Sequence, residues 1–290
     1  MAAKAVVPIV VIVGETASGK SDLGMFLAEK FNGEIIAADS RTIYKGMDIG
    51  TAKPSLEDRA RIPHHLLDMV EPGERYTAAQ FKEDALLAID DISSRGRLPI
   101  IIGGTGLYVD SIIFNYDFGT EDVTRRLELN ELSLEELQVT AEKSDISREA
   151  VDFKNRRHLQ RAVERGRAGH FNQELRENTL VLGVKRGDDE LNERIEARIT
   201  HMLEAGFIDE VKKLVDKYGS KSEAMTGIGY RAFTKYISGD ISLAEAKAEF
   251  IQGDKKLAKR QRTWFKRNKS IHYPLKQSES VDLVTTLLSK

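Results

Sequence analysis

The chain has 290 residues, a net charge of −2 and 41% hydrophobic residues, which suits one large globular domain or a core with an insertion. It has no cysteine, and its six histidines show neither H-x₃₋₅-H nor H-E-x-x-H spacing, so disulfides and thiolate metal sites are excluded and no zinc site is expected. No apolar run is long enough to span a bilayer and no cleaved signal is evident, so no membrane partner is expected and the cytoplasm is the default compartment.

Ile9-Val10-Val11-Ile12-Val13 is apolar and β-branched, the pattern of a buried parallel strand. Gly14-Glu15-Thr16-Ala17-Ser18-Gly19-Lys20-Ser21 follows, and a helical segment begins at Asp22. Strand, glycine-rich turn and helix form the context in which G-x-x-x-x-G-K-S is a phosphate-binding P-loop. Backbone N–H groups and the positive helix end surround an anion there. Lys20 adds a point charge, and Ser21 offers its hydroxyl to a phosphate-bound Mg²⁺. Motif and context agree, against a turn whose glycines serve sterics alone.

Residues 34–38 form a second apolar strand ending at Asp39-Ser40. Ligands of open α/β sheets sit outside the carboxyl ends of strands, which sets Asp39 near the P-loop. A carboxylate there can accept a proton, hold a metal or cap a turn, and the local pattern does not choose. Residues 41–54 carry two glycines and a closing proline without periodicity, and read as a shaped loop. His64-His65 reads either as a substrate contact or, the reading preferred, as a structural pair near the sheet edge. Thr77 and Gln80 have capping-box spacing before a helix through Phe81, Ala85 and Ile89. Leu98-Pro99-Ile100-Ile101-Ile102 is the next strand, and Gly103-Gly104-Thr105-Gly106 after it permits close backbone approach to a ligand. No Walker-B aspartate ends this strand, which weighs against an ordinary ATPase.

Between residues 115 and 178 the apolar runs give way to charged, helical segments, read as a helical insertion within a core of residues 1–114 and 179–290. Inside it, residues 155–164 read as a basic helix with Arg157 and Arg161 on one face, either a phosphate-contacting surface or a solvated one. Strand character returns at Thr179. Helices follow, with Arg194 and Arg198 sharing a face. The last long helix, from Ser242, carries Lys255, Lys256, Lys259, Arg260, Arg262, Lys266, Arg267 and Lys269 around Trp264 and Phe265. Such interleaving suits phosphate contact and base stacking, with Trp264 itself read as an anchor to the core.

Several of these segments together resemble the bacterial tRNA dimethylallyltransferases. They are Gly14 to Ser21, Asp39-Ser40 with Ile43 to Pro54, Gly103 to Tyr108, Gly229-Tyr230, and Leu257 to Phe265. The likeness covers nearly the whole chain and implies an α/β fold: a P-loop NTPase-like parallel sheet core, a small helical insertion domain and a helical C-terminal part. It implies transfer of a dimethylallyl group from dimethylallyl diphosphate to N6 of adenosine 37 in tRNA, with diphosphate released, Mg²⁺ as cofactor and a monomeric enzyme. The cradle Gly14, Glu15, Thr16, Ala17, Ser18, Gly19, Lys20 and Ser21 would then hold a prenyl diphosphate rather than ATP. The resemblance makes Asp39 the base, and Thr16, Lys20 and Arg198, with Arg194 beside it, the groups on the diphosphate. Family tRNA contacts map onto Asp39, Ser40, Arg41, Thr42 and Thr105, and onto Arg157, His158, Leu159, Gln160 and Arg161. A family arginine near the insertion's start has no clean equivalent: Arg126, its neighbour Arg125 or neither takes its place. Glu15 stands where the family usually has proline, and its side chain is expected to point away from the diphosphate. Residues 165–170 depart from the family's usual continuation. Competing readings are a small-molecule P-loop kinase, betrayed by ATP turnover, an isopentenyltransferase acting on free adenine nucleotide, and a nucleic-acid-binding module with a vestigial P-loop.

Overall fold

The computed structural model describes residues 6–118, 123–149, 151–165 and 174–289. The chain divides into two compact units, residues 1–113 with 175–290 and residues 114–174. The larger unit contains β1 (Ile9–Gly14), β2 (Gly33–Ala37), β3 (His64–His65), β4 (Leu98–Gly103), β5 (Thr179–Val184) and β6 (Ile271–His272). These strands form one parallel sheet in the order β3-β2-β4-β1-β5-β6. β1 is central: Val11 lies opposite Ile101 of β4 and Val181 of β5. Helices cover such a sheet on both faces, so its strands need no polar alternation. Every residue of β1 and β4 is buried, which is why both read as unbroken apolar runs.

The larger unit's helices are α1 (Lys20–Lys30), α2 (Leu56–Arg61), α3 (Ala78–Ser94) and α4 (Gly106–Ile113), then α8 (Asp188–Glu204), α9 (Phe207–Tyr218), α10 (Ile228–Ile237), α11 (Leu243–Phe265) and α12 (Gln277–Leu288). Val10, Ile12, Ile100, Ile102 and Leu182 pack with Leu27 of α1 and Val284 of α12. A second core joins α8 to α11 with Ile43, Tyr44 and Met47 of the 41–54 loop. Phe207 anchors it, edge-on to Tyr230 and Phe233 at 5.1 and 5.2 Å.

Several elements escape the sequence reading, α4, β6 and α12 among them. From Tyr108 to Ile113, α4 is buried all round, so it carries no amphipathic stripe. β6 is too short to show a period. α12 opens at Lys276 without a capping side chain, whereas Thr77 with Gln80 and Ser242 with Glu245 mark the starts of α3 and α11 as capping boxes.

The smaller unit consists of α5 (Val123–Glu131), α6 (Leu134–Lys143) and α7 (Arg156–Arg165). Leu129, Leu137, Ala141, Phe153, Leu159 and Ala162 form its own core. Ser133 and Glu136 cap α6 reciprocally.

Candidate active site

The loop after β1 turns into α1 through Gly19, whose φ of 95° lies in the left-handed region, and Ala17 shares that region at 60°. Its carbonyls are taken up by cations. Arg194 Nε donates to Ala17 O at 2.7 Å, Arg186 Nε to Ser18 O at 3.0 Å, and Lys20 Nζ to Glu15 O at 2.6 Å. Burial lowers Lys20 to about 8; Asp39 and Glu15 oppose that shift and Arg198 adds to it.

This loop opens onto a pocket of about 850 Å³. Thr16 to Ser21, Asp39, Thr42, Thr51, Lys53, His64, Arg194, Arg198 and Gln261 belong to its polar lining, and Met25, Ile35, Ala37, Leu67, Ile102 and Leu257 to the apolar part. The structure therefore gathers Thr16, Lys20, Asp39 and Arg198 around one cavity, although they come from three places in the chain. A cationic, N–H-rich loop beside a carboxylate and an apolar wall can hold an anion, an alkyl group and a proton donor together.

Asp39 sits just past β2, where its Oδ1 accepts from Arg41 N at 2.8 Å. Ser40 N donates to Thr105 Oγ1 at 3.0 Å, which ties the end of β2 to the turn after β4. Thr42 is buried. The Arg41 guanidinium reaches Glu223 O at 3.2 Å and Thr226 Oγ1 at 3.3 Å. Arg198 Nη2 donates to Asp254 Oδ2 of α11 at 2.5 Å. Burial raises Asp254, against the pull of the Arg198 charge. The Nε of Arg198 is buried without a hydrogen-bond partner.

Glu15 is 3% exposed and directs its carboxylate onto Arg262 of α11, whose Nη2 also reaches Asp188 at 2.5 Å. Both carboxylates hold the guanidinium firmly charged, Glu15 most strongly. The acid at this position thus ties the loop to α11. Trp264 is an anchor: its Nε1 donates to Asp110 of α4 at 2.8 Å. Arg267 stacks over its indole at 4.1 Å.

In the smaller unit, Arg157 and His158 are exposed. Gln160 Nε2 donates to Asn130 Oδ1 at 2.7 Å, Arg161 is half-buried, and Arg126 pairs bidentately with Glu164, at 2.9 Å in its closer contact. Leu159 corrects the expectation that it contacts RNA. It is fully buried in the helical core, so its side chain has no surface to offer. Of the basic stretch that continues from α7, residues 166–173, Arg167 included, lie outside the described residues.

Sequence reasoning missed Asp254 and Gln261 as site residues. The buried stripe of α11 runs Ala246, Phe250, Asp254, Ala258, Gln261, Phe265. Two polar residues on an otherwise apolar stripe are the signal, because a buried polar group needs a partner.

The IPP transferase family model matches residues 42–268. The chain belongs to the IPP transferase family. A family relative, the tRNA dimethylallyltransferase of Staphylococcus saprophyticus, is 39% identical over 297 aligned positions, covering 95% of this chain and 94% of its own. That of Streptococcus mutans is 40% identical, covering 91% of each. Among solved structures, the tRNA isopentenylpyrophosphate transferase of Bacillus halodurans superposes with a TM-score of 0.76 at 33% identity over 97% of both chains. A eukaryotic dimethylallyltransferase acting on tRNA gives 0.77 at 26% identity, over 89% of this chain and 69% of its own. The IPP transferase core here is the P-loop NTPase-like parallel sheet with its helical additions. Among its described residues no helix is long and apolar enough to cross a membrane.

Proposed function

We propose that this chain transfers the dimethylallyl group of dimethylallyl diphosphate to N6 of adenosine 37 in tRNA. The names of its relatives support prenyl transfer to tRNA. The observation that carries the chemistry is Asp39 lining the same cavity as Lys20 and Arg198.

The N6–C1 bond forms while the bond from C1 to the diphosphate oxygen breaks, and that electron pair leaves on diphosphate. The allylic C1 gains carbocation character as negative charge grows on the leaving group. Lys20, Arg198, Arg194 and the Thr16 hydroxyl stabilise that charge. Asp39 accepts a hydrogen bond from the N6 amino group and takes its proton as the new bond forms. An exocyclic amine is a weak nucleophile, so holding it against C1 contributes as much as the base does. The apolar lining receives the prenyl tail and keeps water from the cation. The target base reaches the cavity by leaving its stack in the anticodon loop. Arg157 and His158 on the exposed face of α7, and the basic residues of α11, meet RNA phosphates.

Mg²⁺ fits this site only together with substrate. Among the described residues no cluster of His, Asp and Glu could hold a metal ion, while Ser21 offers a hydroxyl on the pocket wall. Such an ion takes most of its oxygens from phosphate and water. Ser21 would hold such an ion together with the substrate, and the ion would supply further neutralisation of the leaving group.

The test is transfer of label from dimethylallyl diphosphate to unmodified tRNA, with AMP in parallel. Label in tRNA and none in AMP is the expected result. Label in AMP alone would move the chain to nucleotide prenylation, and ATP turnover without prenyl transfer would make it a kinase.

A further inference from the structure

Gln261 is 9% exposed and reaches the two glycine-rich turns at once. Its Oε1 accepts from Thr16 N at 2.7 Å, and its Nε2 donates to Gly104 O at 3.0 Å. The orientation of the amide is forced, since an N–H can only donate and a carbonyl can only accept. The next links continue from Gly104. Thr105 N donates to Ala38 O at 3.3 Å and Thr105 Oγ1 accepts from Ser40 N, beside Asp39. The diphosphate end of the pocket and the base end are thus joined through one side chain of α11.

Few residues can make this bridge. Asparagine and glutamine present a donor and an acceptor side by side on one neutral amide, and asparagine is a methylene shorter. Glutamate would set an oxygen against the Gly104 carbonyl; lysine and arginine have no acceptor for Thr16. Position 104 is built for it as well, since a Cβ there would lie 2.2 Å from Gln261 Nε2. On either side, Arg262 holds Glu15 and Trp264 holds Asp110, so α11 is fixed where the amide can act.

We propose that Gln261 is a positioning residue for prenyl transfer: it sets the distance between the Thr16 side of the cradle and Asp39, and so the approach of N6 to C1. The proposal rests on the function given above. It assigns Gln261 no contact with either substrate's reacting atoms and places its effect in the chemical step rather than in binding.

Single-turnover transfer, with enzyme in excess over tRNA, tests this in wild type, Gln261→Met and Gln261→Glu. A displacement near 1 Å costs on the order of 10²-fold in rate, so both Gln261 variants should slow by about that factor. Dissociation constants for dimethylallyl diphosphate and tRNA should stay within about threefold. A single-turnover rate constant reports on folded enzyme alone, so a poor folding yield does not imitate the effect. Rates within threefold of wild type, or losses confined to binding, would each overturn the proposal. An inactive wild type would instead overturn the functional reading itself.

Discussion

Burial brings Lys20 to about 8, near enough to neutrality for a bound anion to decide its charge. Below pH 8 the ammonium is already protonated when diphosphate arrives. Above it, the free protein has lost that proton, and binding must take one up. Affinity for inorganic diphosphate should therefore fall above pH 8, by up to about tenfold per pH unit. Titration calorimetry between pH 7 and 9 reads this against Lys20→Met, which should bind more weakly and lack that component. The positions of Lys20 and Ser21 were legible because their motif lies between a strand and a helix, and that of Asp39 because it ends the next strand in sequence. The partners of the site were not. Asp254 answers Arg198 and Arg262 answers Glu15 across 56 and 247 positions of sequence, and no local pattern records a contact at that separation.

The 41–54 loop makes the same point for an element. Its sequence is specific yet aperiodic, because side chains elsewhere satisfy its backbone. Glu210 of α9 accepts from the N–H groups of Asp48, Ile49 and Gly50 at 2.9, 2.7 and 3.0 Å. Tyr230 of α10 donates its hydroxyl to the same carboxylate at 2.6 Å. A Cβ on Gly50 would sit 2.2 Å from the Phe207 ring, so glycine is required where the loop meets that core. Lys53 completes the staple, donating to Tyr44 O at 2.6 Å and Asp48 Oδ1 at 2.8 Å. In Glu210→Gln one acceptor oxygen becomes an NH₂ facing N–H donors. Hydrogen bonds to a charged group contribute about 1.5–3 kcal/mol each, so urea unfolding should register a loss of about 2 kcal/mol. Prenyl transfer should slow with it, since Thr51, Ala52 and Lys53 line the pocket.

For the whole molecule, the order of the sheet was not legible, because crossovers and not strand sequences set which strands pair. The edge pair His64-His65 was. At that edge Glu34 of β2 is 1% exposed yet ionised, meeting Arg95, Arg97 and His65. The Arg95 hydrogen bonds hold it down to about 2 from its ordinary 4.5, with His65 assisting and burial opposing. A depressed carboxylate stabilises the fold fully above its unfolded value and loses that contribution as pH falls through the folded one. The stability gap between wild type and Glu34→Gln should therefore be constant above about pH 4.5 and close towards pH 2. Arg95 and Arg97 are 40% and 38% exposed, so the gap should be nearer 2 kcal/mol than the 3–5 of a fully buried pair, about the discount solvent screening imposes.

The proposed reaction modifies one nucleotide. The direct test maps the product: tRNA treated with enzyme and dimethylallyl diphosphate is digested, and the modified fragment is sequenced by mass spectrometry, with Asp39→Ala in parallel. A single dimethylallyl group on adenosine 37, formed by wild type and at least 10²-fold more slowly by the variant, is the predicted result. A prenyl group at another position, or an Asp39→Ala variant as fast as wild type, would contradict the account.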